Sequence, residues 1–200
     1  KYCVLKGIAM HNSLKIIHER YPIAGKFTIS RGSKTEALVV VCEIGRDGRL
    51  GRGECVPYAR YGESIESVSE QVESVRNAIE NGATRQDIQT IMPAGAARNA
   101  VDCALWDLEA KLSGKSVADM LGTPTRALET AITVSLGTPE EMAVSTAKVA
   151  HYPLIKVKMG GENDIERIHA VANAAPNSRI IIDANEGLSL IHISEPTRPY

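Results

Sequence analysis

The sequence predicts an α+β region followed by the start of a parallel β/α array. Three observations predict this. Valine-rich, β-prone segments near the beginning are joined by an Asp-Gly pair. Apolar residues at steps of three and four follow them. After residue 128, short β-prone runs alternate with helical ones across short loops. Strands followed by helices suggest an α+β unit over residues 10–128. The β-α-β-α-β order over residues 129–187 is the signature of a parallel sheet.

Each element has its own reason. Met10 reads as a translation start, with residues 1–9 upstream of it. Leu14–Glu19, Phe27–Ser30 and Ala37–Ile44 are strand candidates. Asp47-Gly48 tolerates positive φ at both positions and predicts a tight hairpin. Ile65, Val68, Val72, Val75 and Ile79 predict one helix, ended by Gly82. The alanine-rich stripe from Ala96 to Leu112 predicts another, with Trp106 and the alanines in the core. Gly51-Arg52-Gly53 is a lone G-x-G and reads as a strand bend rather than a phosphate cradle. In the second region, Ala131–Leu136, Leu154–Met159 and Ile180–Asp183 are strands. Thr138-Pro139-Glu140-Glu141 is a capping box with proline at the first helical position, and Asp164–Ala174 is a second helix. Residues 188–200 carry two prolines and no helical period. They resemble a translated sequencing adapter and read as a non-native tail.

Composition narrows the function. The 200 residues are 44% hydrophobic and 24% charged, which suits a packed core. A formal net charge of −1 speaks against a nucleic-acid or polybasic membrane partner. The four cysteines are scattered without a C-x-x-C pair, so zinc and redox motifs fail and a cytoplasmic setting fits. No signal peptide or spanning stretch is visible.

Lys156 and Lys158 lie two apart on a strand and so share one face. Taken alone, they read as solvated lysines on a half-exposed strand. Flanking helices change this, because the covered face should be apolar, and Ile155, Val157 and Met159 supply it. The lysines then face inward and need carboxylates or a metal ion to balance them. Ile181, Asp183 and Asn185 repeat the arrangement on the next strand. Alone, those polar residues read as strand-end caps. Together with the lysines they place two ammonium groups and a carboxylate at the C-terminal strand ends, where β/α barrels keep their active sites.

These residues, Lys156-Val157-Lys158 and Asp183-Ala184-Asn185, resemble the enolase superfamily in its muconate-lactonizing-enzyme-like branch. Pro93–Leu108, Gly53–Ser64 and Ile29–Ser33 are similar to dipeptide epimerases of the L-Ala-D/L-Glu type. The resemblance implies an α+β capping domain and the first part of a (β/α) TIM-like barrel, truncated after barrel strand 3. It implies a Mg²⁺-dependent isomerase of murein peptide metabolism that moves a proton at an α-carbon. Lys158 would exchange the α-proton, and Lys156 would sit beside the substrate carboxylate. A lysine acting as base at neutral pH needs a pKa about three units below its free value of roughly 10.4. Asp183 would bind Mg²⁺, with Asn185 in support. Thr133, Arg31 and Tyr58 match substrate-contacting positions, with Arg31 suited to a distal carboxylate. The partner is a small dipeptide, and homo-oligomer formation is left open for the complete enzyme.

The remaining metal ligands and an opposing lysine would lie on later strands, so the 200-residue chain is expected to be inactive. Three alternatives stay open. One is another enzyme of the superfamily, a cycloisomerase or an o-succinylbenzoate synthase. Another is a non-catalytic half-barrel protein. A Schiff-base lysine aldolase is weaker, because it leaves Asp183 and Asn185 unexplained.

Overall fold

Among the described residues, a three-stranded sheet and five α-helices fall largely in the first of two compact units. The structure, a computed structural model, describes residues 11–29, 32–123 and 125–185. The expected upstream residues 1–9, Arg31 and the expected tail at 188–200 lie outside those residues. Described residues of 11–21 and 36–125 cluster as one unit, and those of 22–35 and 126–185 as the other.

β1 (Ser13–Ile29), β2 (Gly32–Arg46) and β3 (Arg49–Cys55) form one sheet ordered β1-β2-β3, of which residues 22–29 and 32–35 group with the second unit. The two strands expected at Leu14–Glu19 and Phe27–Ser30 are one continuous strand. Arg46 faces Arg49 across the β2–β3 hairpin, and Asp47 and Gly48 have φ of 50° and 71°. Both central residues thus take the positive φ that a two-residue hairpin turn requires.

Val40, Cys42 and Ile44 alternate along β2 and point into a core completed by Val68, Val72 and Leu108. Helices α1 (Ile65–Ser74), α2 (Arg76–Glu80), α3 (Arg85–Ile91), α4 (Ala96–Ser113) and α5 (Val117–Met120) belong to the first unit. The single helix expected through Ile79 breaks at Val75, whose φ and ψ of −103° and 5° leave the helical region. Helix α3 was not anticipated. It buries only Ile88, too little for a periodic signal, yet Thr84 and Asp87 form a complete capping box.

The G-x-G of β3 is not a bend. A Cβ on Gly51 would stand 2.1 Å from the Ala104 carbonyl oxygen, and one on Gly53 the same distance from that of Ala100. The strand lies directly against α4, and only glycine allows that approach. Trp106 is half-buried rather than in the core. The Arg85 guanidinium stacks 3.4 Å from its ring centroid and pairs with Glu109 at 2.9 Å.

The second unit holds a parallel sheet of β4 (Ile132–Val134), β5 (Leu154–Lys158) and β6 (Arg179–Asp183), ordered β4-β5-β6. Helices α6 (Pro139–Val149) and α7 (Asp164–Ala174) connect them. Thr138 and Glu141 bond reciprocally at the start of α6, as the capping box predicts. Ile155, Val157 and Met159 are buried with Val134, Met142 and Val171, so the apolar side of β5 is the helix-covered side. The Leu136 amide donates to the Thr28 carbonyl at 3.3 Å, tying the end of β1 to this unit.

Candidate active site

The register of the parallel sheet assembles the charged residues. Lys156 aligns with Thr133 on β4 and with Ile181 on β6, and Lys158 aligns with Asp183. Since Ile155 and Val157 face the helices, strand alternation sends Lys156 and Lys158 to the opposite side. Asp183 Oδ2 accepts from Lys156 Nζ at 2.7 Å and from Lys158 Nζ at 2.8 Å. Its Oδ1 accepts from the Asn185 amide at 2.9 Å. The lysines, Lys156 foremost, and then the Asn185 amide hold the Asp183 carboxyl well below the usual carboxylate range.

The environments of the two lysines differ. The Lys158 side chain is 7% exposed and that of Lys156 37%. The Phe27 ring lies 5.6 Å from Lys158 Nζ. Two ammonium groups facing one carboxylate leave one positive charge over, which suits an anionic group on a ligand.

Asn185 departs from its expected place on the strand face. It lies beyond β6 with φ of 46°, and its buried Oδ1 has no partner among the described residues. Thr133 is exposed and aligned with Lys156. Tyr58 belongs to the other unit. Its ring lies 5.6 Å from that of Tyr61, and its amide donates to Glu63. Glu63 also accepts from the Ala96 amide at 2.7 Å, so it fastens the Tyr58 loop to the start of α4. Neither Glu63 nor Phe27 gave a signal in the sequence, because each acts through a distant segment. A cavity of about 560 Å³ lined by Thr28, Leu136, Met142 and Val144 includes none of the three charged residues.

Among the described residues, no group of three or more His, Cys, Asp or Glu side chains could hold a metal ion. Mg²⁺ takes six oxygen ligands. Asp183 can offer one, so the described residues alone do not fit that ion. Among them, no helix is long and apolar enough to cross a membrane.

Comparison with known proteins shows the family of the chain. Residues 11–122 match the N-terminal domain of the mandelate racemase / muconate lactonizing enzyme family. An L-Ala-D/L-Glu epimerase of Escherichia coli (strain K12) is 48% identical over 177 residues, which are 87% of this chain and 55% of that protein. A crystal structure from Agrobacterium tumefaciens superposes with a TM-score of 0.84 at 54% identity, covering 88% of this chain and 54% of that one. It is described as an enolase family member with homology to dipeptide epimerases, with bound sodium and L-Ala-L-Glu. A dipeptide epimerase of Cytophaga hutchinsonii, complexed with Mg and D-Ala-L-Val, superposes with a TM-score of 0.81 at 29% identity, covering 90% and 54%. The chain spans about half the length of the curated relatives it matches. A cap with an antiparallel sheet, a parallel β/α sheet after it and these matches agree that the chain belongs to the mandelate racemase / muconate lactonizing enzyme family of the enolase superfamily.

Proposed function

We propose that this chain supplies the cap and first barrel strands of an isomerase that epimerises L-Ala-D/L-Glu-type dipeptides. One observation carries the reading. Two lysines converge on one carboxylate at the C-terminal ends of parallel strands, in a chain of this family.

Lys158 is the proposed proton-transfer group. As the neutral amine, its Nζ takes the α-proton and becomes an ammonium, while the C–H electron pair moves into the neighbouring substrate carboxylate. Lys156, more exposed and two residues earlier on β5, holds that carboxylate by charge. The dry surroundings of Lys158 strengthen both effects. Return of a proton from the opposite face needs a second acid that the described residues do not contain. Thr133 is a proposed substrate contact beside Lys156, as are Arg31 and Tyr58. The reading includes Mg²⁺, with Asp183 as one ligand and Asn185 in support, because a relative of this fold is complexed with Mg and a dipeptide. It also includes a cytoplasmic setting, which the unpaired thiols Cys42, Cys55 and Cys103 support.

The test is α-proton exchange of L-Ala-D-Glu in D₂O, by a protein that carries these residues and spans the relatives' full length. With Mg²⁺ present, exchange is expected, and Lys158→Ala should lower kcat by on the order of 10³-fold. Exchange that survives Lys158→Ala undiminished, or no exchange by the parent protein, would overturn the reading.

A further inference from the structure

Arg167 sits on α7, yet the loops that follow β4 and β5 both converge on it. Its side chain is 16% exposed. Its Nε donates to the Gly137 carbonyl, in the β4–α6 loop, at 2.8 Å. Its Nη1 donates to the Glu162 carbonyl, in the β5–α7 loop, and to Asp164 Oδ1 at 2.9 Å. Asp164 in turn accepts from the Gly160 amide at 3.0 Å and the Gly161 amide at 2.8 Å. The two loops also touch directly, since a Cβ on Gly160 would come within 2.8 Å of Leu136 Cδ2. The Leu136 amide then bonds the Thr28 carbonyl, next to the Phe27 that covers Lys158.

The geometry points to Arg167 as a positioning residue that, through Asp164, locks both loops and the Phe27–Thr28 segment around Lys158. Gly160 follows Lys158 by two residues, so freedom in that loop passes directly to the strand end. Only a planar guanidinium with its donors in a fixed fork can meet two carbonyls and a carboxylate from three directions. The meaning of the lock rests on Lys158 being the proton-transfer group. The lock itself does not, and its test needs no activity.

The experiment compares amide hydrogen exchange and Lys158 acylation by an N-hydroxysuccinimide ester in the full chain, in Arg167→Met, Arg167→Lys and Asp164→Asn. In Arg167→Met, exchange at Gly160, Gly161 and Leu136 should rise about tenfold or more, with Ile155 and Val157 unchanged. Acylation of Lys158 should rise relative to Lys156, because Lys158 loses its cover. Arg167→Lys keeps a charge for Asp164 and should protect Gly160 and Gly161 but not Leu136. Asp164→Asn should release Gly160 and Gly161 most. A uniform rise across the second unit, or no rise at Leu136 in either Arg167 variant, would show a general packing role and overturn the proposal. If the lock holds while the epimerase reading fails in D₂O, the two outcomes are separately visible.

Discussion

Asp183 takes both lysines on a single oxygen, so its removal strands two like charges. Asp183→Asn leaves Lys158, at 7% exposure, without its counter-charge. The variant should lose about 1–3 kcal/mol of stability at pH 7 by urea denaturation. The pH dependence has a definite sign. A carboxyl whose folded pKa is depressed contributes stability above its unfolded value of about 3.9 and loses it as pH falls toward the folded value. The gap between wild type and Asp183→Asn should therefore hold steady above about pH 5 and narrow below about pH 4. A gap that stays flat to pH 3 would mean the pairing is not electrostatic. At this scale much of the site could be read in advance. The K-x-K spacing fixed a shared face, and Asp183 supplied the counter-charge that two inward lysines demand. Asn185 could not be read, because a positive φ ended the alternation that its position assumed. Phe27, Glu63 and Arg167 were invisible for a different reason. Their roles depend on partners such as Gly137 and Ala96, which local patterns do not reach.

Strands and helices were readable wherever burial was periodic. The α4 stripe and the β5 alternation are strong because each buries a whole face. Helix α3 and the break at Val75 escaped because one buried residue, or one non-helical residue, leaves the pattern almost unchanged. The packing of β3 on α4 yields a sharp expectation. Gly53→Ala would put a methyl 2.1 Å from a backbone oxygen and 2.5 Å from the Ala104 nitrogen. Neither atom belongs to a flexible side-chain end, so the cost should reach about 3 kcal/mol or more, seen as a lower urea midpoint. A change under about 0.5 kcal/mol would mean that strand and helix separate easily. At the start of α6, Thr138→Ala removes the oxygen that accepts from the Glu141 amide at 3.2 Å. It should lower stability by about 1 kcal/mol, and a Thr138→Ser control should restore most of it.

At the scale of the whole molecule, the described residues form two cores with no residue in common, one around Ile44 and Leu108 and one around Ile155 and Val157. Leu108→Ala should cost the first core about 2–5 kcal/mol. Hydrogen exchange should then speed up at Val40 and Cys42 while Ile155 and Val157 keep their protection. Equal acceleration in both would show a single cooperative unit. The order of strands and helices suggests a division near residue 128. What it could not foretell is the course of the chain between the parts. Residues 22–35 group with 126–185, while 11–21 and 36–125 group together. The polypeptide therefore passes from one unit to the other three times. A recombination event that swapped residues 11–125 between two relatives would carry the 22–35 segment away from the β/α partner it was selected with.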